Sequence, residues 1–142
     1  MKTVTLKDVP EIASELIKQM KAYTIFTFSG PLGAGKTTLV QEILKQLGVT
    51  GPVQSPTYTY MSVYRLPDGR TFYHFDLYRL NSLDDFLTEG FDEYFLKKNS
   101  WCFIEWPEIL DPILKNTALP ITLEYGDNNT RLITVKKGDN EL

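Results

Sequence analysis

The stretch FSGPLGAGKTTLV, residues 28–40, decides the fold of this chain. Within it, GPLGAGKT at 30–37 matches the phosphate-loop (P-loop, Walker A) pattern G-x-x-x-x-G-K-[ST]. The aromatic and β-branched run YTIFTF, residues 23–28, precedes the loop and is typical of a strand. Apolar residues then recur at helical spacing, which predicts a helix over 36–47 that stops at Gly48. A strand, a glycine loop and a helix in this order form the context that the motif requires.

The loop residues have a physical role in holding a triphosphate. Glycines let backbone N–H groups approach phosphate oxygens closely, and the N-terminus of the following helix carries partial positive charge. We expect Lys36 to reach the β- and γ-phosphates and the Thr37 hydroxyl to be a ligand for Mg²⁺. The motif shows how a nucleotide is held and leaves open what its energy is used for.

The other segments predict an α/β fold, a P-loop NTPase-like mixed β-sheet that is flanked by helices and extended by antiparallel hairpins. A helix over 10–21 precedes the first strand, with Pro10 in its first turn. The later predicted elements are a hairpin of 57–65 and 70–78 around the turn LPDG, a helical segment at 82–98 that is broken near Gly90, a buried strand at 101–106, an irregular segment or short helix at 108–118, and a hairpin of 121–125 and 131–137 around GDNNT.

Length and composition predict a single domain over residues 1–142, with a mobile tail at about 137–142. Hydrophobic residues make up 42% of the chain, charged residues 23%, and the net charge is −3. This charge gives the binding of free nucleic acid no overall electrostatic support. The N-terminus has no apolar signal region and no run approaches about 18 apolar residues, so we expect a cytoplasmic protein without membrane association. The single cysteine, Cys102, lies in an apolar run and is interpreted as a core residue.

Two acidic residues close apolar runs. Asp76 ends FYHFD and Glu105 ends WCFIE. Because ligands of open α/β sheets bind beyond the carboxyl ends of the strands, parallel strands would bring both acids beside the phosphate loop, where Mg²⁺ needs carboxylate or water ligands. The alternatives are an edge salt bridge for Glu105 and a hairpin strand that directs Asp76 elsewhere.

Other side chains allow two interpretations each. His74 shares a strand face with Asp76, and it either positions a water or makes a structural hydrogen bond, which is the more common role. Arg79 either senses a γ-phosphate or pairs with a nearby acid, Asp84 or Asp85. Aromatic pairing within a hairpin explains the tyrosines at 58, 60, 64, 73 and 78 more simply than base stacking does.

Three classes of phosphate-loop protein compete. A GTPase would carry N-K-x-D to read guanine, and no such segment occurs. A small-molecule kinase usually has an arginine-bearing lid over its acceptor, and residues 82–98 contain no arginine. The third class is an ATPase that drives a partner.

Four ordered motifs carry a resemblance to a known family. They are GPLGAGKTT at 30–38, SPTYTY at 55–60, HFDLYRL at 74–80 and IEWPE at 104–108. Together they closely resemble the TsaE family, small bacterial ATPases of tRNA threonylcarbamoyladenosine synthesis, and the likeness covers roughly residues 10–135. One departure is Pro31, at a loop position that is often acidic in the family. Since proline lacks an N–H, one possible phosphate donor is lost there.

The resemblance implies roles for individual residues. Thr37 and Glu105 would hold Mg²⁺, and Asp76 would belong to the metal and water network required for hydrolysis, so Lys36, Asp76 and Glu105 are the candidate catalytic residues. Trp106 would pack beside the site. The residues that would surround the phosphates of ATP are Leu32, Gly33, Ala34, Gly35, Lys36, Thr37 and Thr38. The residues that would form a switch near the γ-phosphate are Ser55, Pro56 and Thr57.

The resemblance also implies partners. In this family, TsaD transfers a threonylcarbamoyl group to adenosine 37 of ANN-decoding tRNAs, TsaB pairs with TsaD, and ATP hydrolysis by TsaE supports repeated turnover. TsaE-like proteins do not carry out the transfer and would meet tRNA only through the complex. We expect the adenine-reading residues in the N-terminal segment and the final hairpin, with Arg131 as one candidate. The alternatives are a stand-alone kinase of a small metabolite or nucleoside, and a nucleotide-sensing module with negligible catalysis.

Overall fold

A computed structural model describes residues 1–51, 59–138 and 140–141 of the chain. The strands are β1 (Lys2–Val4), β2 (Ile25–Ser29), β3 (Met61–Arg65), β4 (Thr71–Asp76), β5 (Ser100–Glu105), β6 (Leu119–Tyr125), β7 (Arg131–Lys137) and β8 (Asn140–Glu141). The α-helices are α1 (Val9–Lys18), α2 (Lys36–Leu47), α3 (Leu83–Thr88) and α4 (Asp111–Leu114). Short 3-10 helices cover Leu6–Asp8, Gln19–Lys21, Phe91–Leu96 and Pro107–Leu110.

The strands form one mixed sheet in the order β1-β7-β6-β2-β5-β4-β3, and β8 pairs with β7. β2 is parallel to both β5 and β6, and β4 is parallel to β5. The pairs β3–β4, β6–β7 and β1–β7 are antiparallel. The predicted α/β fold with a mixed sheet, flanking helices and two hairpins is therefore confirmed.

Apolar clusters lie on the two faces of the sheet. α1 and α2 cover one face, where Phe26, Phe28 and Phe103 have no exposed surface. On the other face, α3 and the 3-10 helix that follows it cover Phe75 and Ile104. Burial of one such phenylalanine side chain contributes about 1.5–3 kcal/mol, so these rings anchor the central strands. The strands of this buried centre are the ones that carry the loop and the acids.

Helix α2 ends where the sequence predicts. Gly48 adopts φ of 107° and its N–H donates to the Lys45 carbonyl, while the Val49 N–H donates to the Leu44 carbonyl. This pair of bonds is a Schellman motif, and its left-handed position favours glycine. Gly35, at the opposite end of α2, has φ of 103° and links the phosphate loop to the helix.

Several element bounds differ from the prediction. The helix predicted over 10–21 is α1 followed by a 3-10 turn, and the break near Gly90 is present between α3 and Phe91–Leu96. The strand predicted over 101–106 ends one residue earlier, because Trp106 has φ of 57° and leaves the strand. β1 was not predicted, since three residues are too few to show an alternating pattern.

Two C-terminal residues pair with the last long strand. Lys137, which the sequence places at the end of the predicted strand 131–137 and at the start of the tail, is the last residue of β7, and Asn140–Glu141 pair with that strand. Cys102 is 2% exposed within the core, and burial raises the pKa of its thiol to about 12, which confirms its interpretation as a core residue. Among the described ranges, no helix is both long and apolar enough to cross a bilayer.

The parallel strands bring three segments to one edge of the sheet. Phe28 of β2 lies in register with Glu105 of β5, and Glu105 lies in register with Asp76 of β4. The phosphate loop follows β2 directly. The predicted meeting of the loop and both acids at the carboxyl ends of the strands is thus present.

Candidate functional site

A cavity of about 290 Å³ lies at this edge of the sheet. It brings together the whole predicted phosphate-binding segment, both predicted acids and the predicted tryptophan. The lining residues are Leu32, Gly33, Ala34, Gly35, Lys36, Thr37, Thr38, Asp76, Glu105 and Trp106. A nucleotide phosphate chain placed here would meet the loop on one side and carboxylates on the other.

Sterics require a glycine at the first position of the loop. Gly30 adopts φ of 147°, and a Cβ atom at this position would lie 2.1 Å from the Leu123 carbonyl oxygen of β6. No larger residue fits without moving the backbone of β6 or of the loop. The loop therefore leaves β2 at a fixed angle.

Lys36 is held inside the loop. Its side chain is 5% exposed, and its Nζ donates to the carbonyl oxygens of Gly30 and, at 3.0 Å, of Pro31. The Nζ also lies 3.7 Å from the centroid of the Trp106 ring, a cation–π contact. Burial lowers the pKa of Lys36, and the nearby carboxylates, Glu105 first among them, act in the opposite direction. The ammonium group is thus already partly stripped of water at the place where phosphate oxygens would bind.

A chain of hydrogen bonds joins α2 to the two neighbouring strands. The Thr37 hydroxyl donates to Oε1 of Glu105 over 2.7 Å, and the Nε2 of His74 lies 2.6 Å from Oε2 of the same carboxylate. Glu105 is 2% exposed and His74 has no exposed surface. Both oxygens of a buried carboxylate are therefore engaged, one by a residue of the phosphate loop motif.

The donor set of this cavity suits Mg²⁺. The hydroxyl of Thr37 and the carboxylates of Glu105 and Asp76 are hard oxygen donors that face the same space. Within the part of the chain that the structure describes, no three acidic, histidine or cysteine side chains are grouped to hold a metal alone. Mg²⁺ usually takes one or two carboxylates and completes its shell with water and substrate phosphates, so the residues present fit that ion.

Asp76 and Trp106 complete the lining of the cavity. Asp76 is half-buried at the end of β4, and its Oδ1 accepts a hydrogen bond of 3.1 Å from the Tyr78 backbone N–H. The ring of Tyr78 lies 4.7 Å from that of Trp106, centroid to centroid. The left-handed backbone at Trp106 turns its ring from the strand toward Lys36.

A second cavity, of about 440 Å³, adjoins the phosphate loop on its other side. The loop contributes residues 33–35, α2 contributes Thr38, and the last hairpin contributes Asn129 and Arg131. The lining residues of the N-terminal segment are Val4, Thr5, Leu6 and Val9. The expected sources of base-reading residues, the N-terminal segment and the final hairpin, thus lie together beside the loop. Both cavities share residues 33–35 and Thr38.

A family model described as "Threonylcarbamoyl adenosine biosynthesis protein TsaE" matches residues 3–133. The chain belongs to the TsaE family. The prediction drawn from the four ordered motifs is thereby confirmed, and the matched region includes both cavities.

Relatives within the TsaE family align over most of the chain. A tRNA threonylcarbamoyladenosine biosynthesis protein TsaE of Rickettsia typhi is 33% identical over 132 residues, which are 92% of this chain and 90% of the relative. The protein of that name from Bacillus subtilis is 34% identical over 134 residues, 94% of this chain and 82% of the relative. A crystal structure of YdiB from Bacillus subtilis superimposes with a TM-score of 0.68 at 29% identity, over 94% of this chain and 82% of YdiB. The fold described above is therefore that of a solved neighbour.

Some candidates of this TsaE-family chain lie away from the cavity. Arg79 is exposed in the turn after β4 and does not line it. Tyr60 packs against Phe91 and Tyr73 against Tyr94, so these tyrosines contribute to aromatic packing with a 3-10 helix. The predicted switch residues Ser55, Pro56 and Thr57, and also Tyr58, lie outside the described residues.

Three contacts of the TsaE-family site were not predicted from the sequence. The partner of His74, Glu105, lies 31 positions away, and only the parallel pairing of β4 and β5 brings the two together. The hydroxyl of Tyr125 donates to the Leu32 carbonyl, and Arg131 stacks on the Tyr125 ring with its guanidinium 4.8 Å from the centroid. The last hairpin thereby supports the phosphate loop from outside, which no local pattern indicates.

Proposed function

We propose that the chain binds ATP with Mg²⁺ and hydrolyses it in support of tRNA N6-threonylcarbamoyladenosine (t6A) modification. The observation that carries this proposal is the 2.7 Å contact between Thr37 and Glu105 in the cavity that also holds Lys36. A phosphate loop alone is found in many nucleotide-binding proteins. The added acid, in contact with the loop threonine, is what a metal-dependent phosphoryl transfer requires.

Each lining residue has a proposed task. Loop N–H groups and Lys36 hold the phosphates, and Thr37 and Glu105 hold Mg²⁺. Bound Mg²⁺ neutralises charge on the phosphate oxygens. Asp76, which lines the cavity in register with Glu105, orders the water that attacks the γ-phosphorus, while the bond to the ADP oxygen breaks. The products are ADP and inorganic phosphate.

We assign the second cavity to the adenine and ribose. It continues from the loop at Gly35 and Thr38, and it is walled by apolar Val4 and Leu123 with polar groups at Asn129 and Arg131. An apolar slot with a few polar groups is the usual form of a base site. Arg131 is placed at its border by stacking on Tyr125.

The partner in this proposal is the TsaB–TsaD pair. Among the described residues that line the cavity, Asp76 is the one carboxylate besides Glu105. Few groups there can therefore immobilise a water. A partner that orders such groups lowers the barrier by preorganisation, and a tenfold acceleration needs only about 1.4 kcal/mol. The threonylcarbamoyl transfer itself belongs to TsaD, and the net charge of −3 favours contact with tRNA through the complex.

The kinase alternative gains no support from the helical segment after β4. Phe86 of α3 is fully buried against Phe75, so α3 is part of the core and cannot swing as a lid. Phosphate release measured with the chain alone, with small-molecule acceptors and with purified TsaB–TsaD separates the functions. Slow release alone and faster release with the pair are expected. Phosphorylation of a small acceptor, with no response to the pair, would favour the kinase.

A further inference from the structure

His74 is a polar ring at a fully buried position of β4. It is the one histidine of the chain and has no exposed surface. Alternate residues of a strand share a face, so His74 lies between Phe72 and Asp76 on the side of β4 that faces α2. Phe72 is buried to the same extent in this row. Burial of a polar ring is unfavourable unless the ring has a hydrogen-bond partner, so the hydrogen bond of the imidazole must offset its burial here.

The hydrogen bond to Glu105 sets the direction in which His74 acts. A carboxylate group only accepts when it is ionised, so Nε2 of His74 is taken as the donor to Oε2 of Glu105. The other ring nitrogen, Nδ1, meets no hydrogen-bonding group in the described ranges of the chain. His74 is thus a one-directional donor to Glu105.

The bond also fixes the carboxylate. Oε2 is held by His74 from the β4 side, and Oε1 is directed to Thr37 at the start of α2. Glu105 has almost no exposed surface, and the two bonds hold its carboxylate between β4 and α2. Oε1 is therefore the oxygen on the side of the phosphate loop, and Oε2 is turned to β4.

We infer that His74 is a positioning residue that holds Oε2 of Glu105, leaves Oε1 as the single oxygen offered to a metal, and so favours Mg²⁺ over Ca²⁺. Mg²⁺ takes octahedral sites and few protein oxygens, whereas Ca²⁺ readily takes both oxygens of one carboxylate. Bidentate binding needs both oxygens to face the ion, and a carboxylate held with Oε2 toward His74 and Oε1 toward Thr37 turns Oε1 alone to the side of the phosphate loop. This inference rests on the proposed function, because it concerns the metal that accompanies ATP.

The test compares nucleotide affinities of His74 variants under three conditions. Calorimetry measures ATP binding with Mg²⁺, with Ca²⁺ and with EDTA. His74→Phe should weaken binding of Mg²⁺–ATP by about 10- to 100-fold, the usual effect of removing a residue that orients a metal ligand. Binding in EDTA should be unchanged, and binding of Ca²⁺–ATP should fall less, so the preference for Mg²⁺ decreases. His74→Gln should restore binding, because its amide N–H can donate from nearly the same place.

Two controls separate positioning from structural damage. Phe72→Leu perturbs the same row of β4 without touching Glu105, and all three affinities should stay at the wild-type value. If His74→Phe fails to fold, His74→Asn takes its place, since its shorter amide cannot reach Oε2 and the same selective loss of Mg²⁺–ATP affinity is expected.

The outcomes are distinguishable from a failure of the proposed function. Wild-type protein that binds ATP equally in Mg²⁺ and in EDTA would contradict the proposed function and this inference together. Wild-type protein that prefers Mg²⁺, with folded His74 variants that keep the same preference or lose all three affinities equally, would overturn the role of His74 alone. Failure of His74→Gln to restore Mg²⁺–ATP binding would overturn it as well.

Discussion

Replacement of Lys36 by alanine or methionine removes the cation at the centre of the proposed phosphate site. In the free protein the Nζ donates to the carbonyls of Gly30 and Pro31 and lies over the Trp106 ring. Gly30 is half-buried and Pro31 is exposed, so water can replace the lysine at these carbonyls, and the free energy of unfolding should change by about 1 kcal/mol or less. Methionine keeps most of the packing against Trp106, and it therefore isolates the effect of the charge.

The main effect of the Lys36 substitutions should be a loss of ATP affinity. A hydrogen bond to a charged group contributes about 1.5–3 kcal/mol, and the backbone N–H groups of the loop cannot replace the ammonium charge. ATP affinity in Mg²⁺ should therefore fall about 10- to 100-fold. Calorimetry measures the affinity, and thermal unfolding shows that the fold is intact.

The matched control is Lys45→Met, which removes an exposed lysine from the same helix and changes the net charge equally. Its ATP affinity should equal that of the wild type. A folded Lys36 variant with wild-type affinity would refute the assignment of the loop, and an equal loss in the Lys45 variant would show that only overall charge matters.

The pKa of Lys36 gives a related expectation. Burial lowers it, and only the charged form attracts phosphate. ATP affinity should therefore decrease as the pH rises through the lowered pKa, beginning below the usual range of a lysine. The stability of the free protein should change in the opposite direction. Because the unfolded state binds the proton more tightly over that window, the contribution of Lys36 to the free energy of unfolding should increase with pH. Affinity and unfolding measured from neutral to alkaline pH, in wild type and Lys36→Met, check both signs.

The remaining predictions concern the acids, the loop glycine and the cysteine. Glu105→Ala should weaken ATP binding in Mg²⁺ more than in EDTA, whereas Asp76→Ala should reduce the hydrolysis rate more than the affinity; equal losses in EDTA would make both acids structural. Gly30→Ala should destabilise the fold by about 3 kcal/mol or more, because its Cβ would meet the Leu123 carbonyl, and an unchanged unfolding midpoint would contradict this geometry. Cys102 should react with thiol reagents only on unfolding, since its pKa is raised to about 12, and rapid labelling of native protein would contradict its burial.

The sequence predicts those parts of the fold and of the site that depend on residues close together in the chain. The loop, helix α2 and its stop at Gly48 depend on residues that are adjacent in the chain, and periodicity and glycine chemistry describe them. Asp76 and Glu105 were placed at the ends of apolar runs, and the general rule for open sheets brought them to one edge.

The parts that escaped prediction depend on contacts between distant segments. The order of the strands decides that His74 meets Glu105, and that the final hairpin brings Tyr125 to the Leu32 carbonyl. β1 and β8 are short strands whose pairing with β7 gives them their structure, and no pattern of two or three residues reveals such pairing. Tertiary context supplied these elements and contacts.

The central claim is that hydrolysis of ATP at this cavity supports repeated t6A synthesis. The most direct measurement counts the t6A residues formed per TsaB–TsaD pair, with threonylcarbamoyl donor and tRNA in excess, in the presence of wild-type chain or of Asp76→Ala. Asp76→Ala is expected to bind ATP but to hydrolyse it slowly. The account predicts many t6A residues per pair with the wild type, and formation that stops near one per pair with the variant. Equal, repeated turnover with both proteins would contradict it.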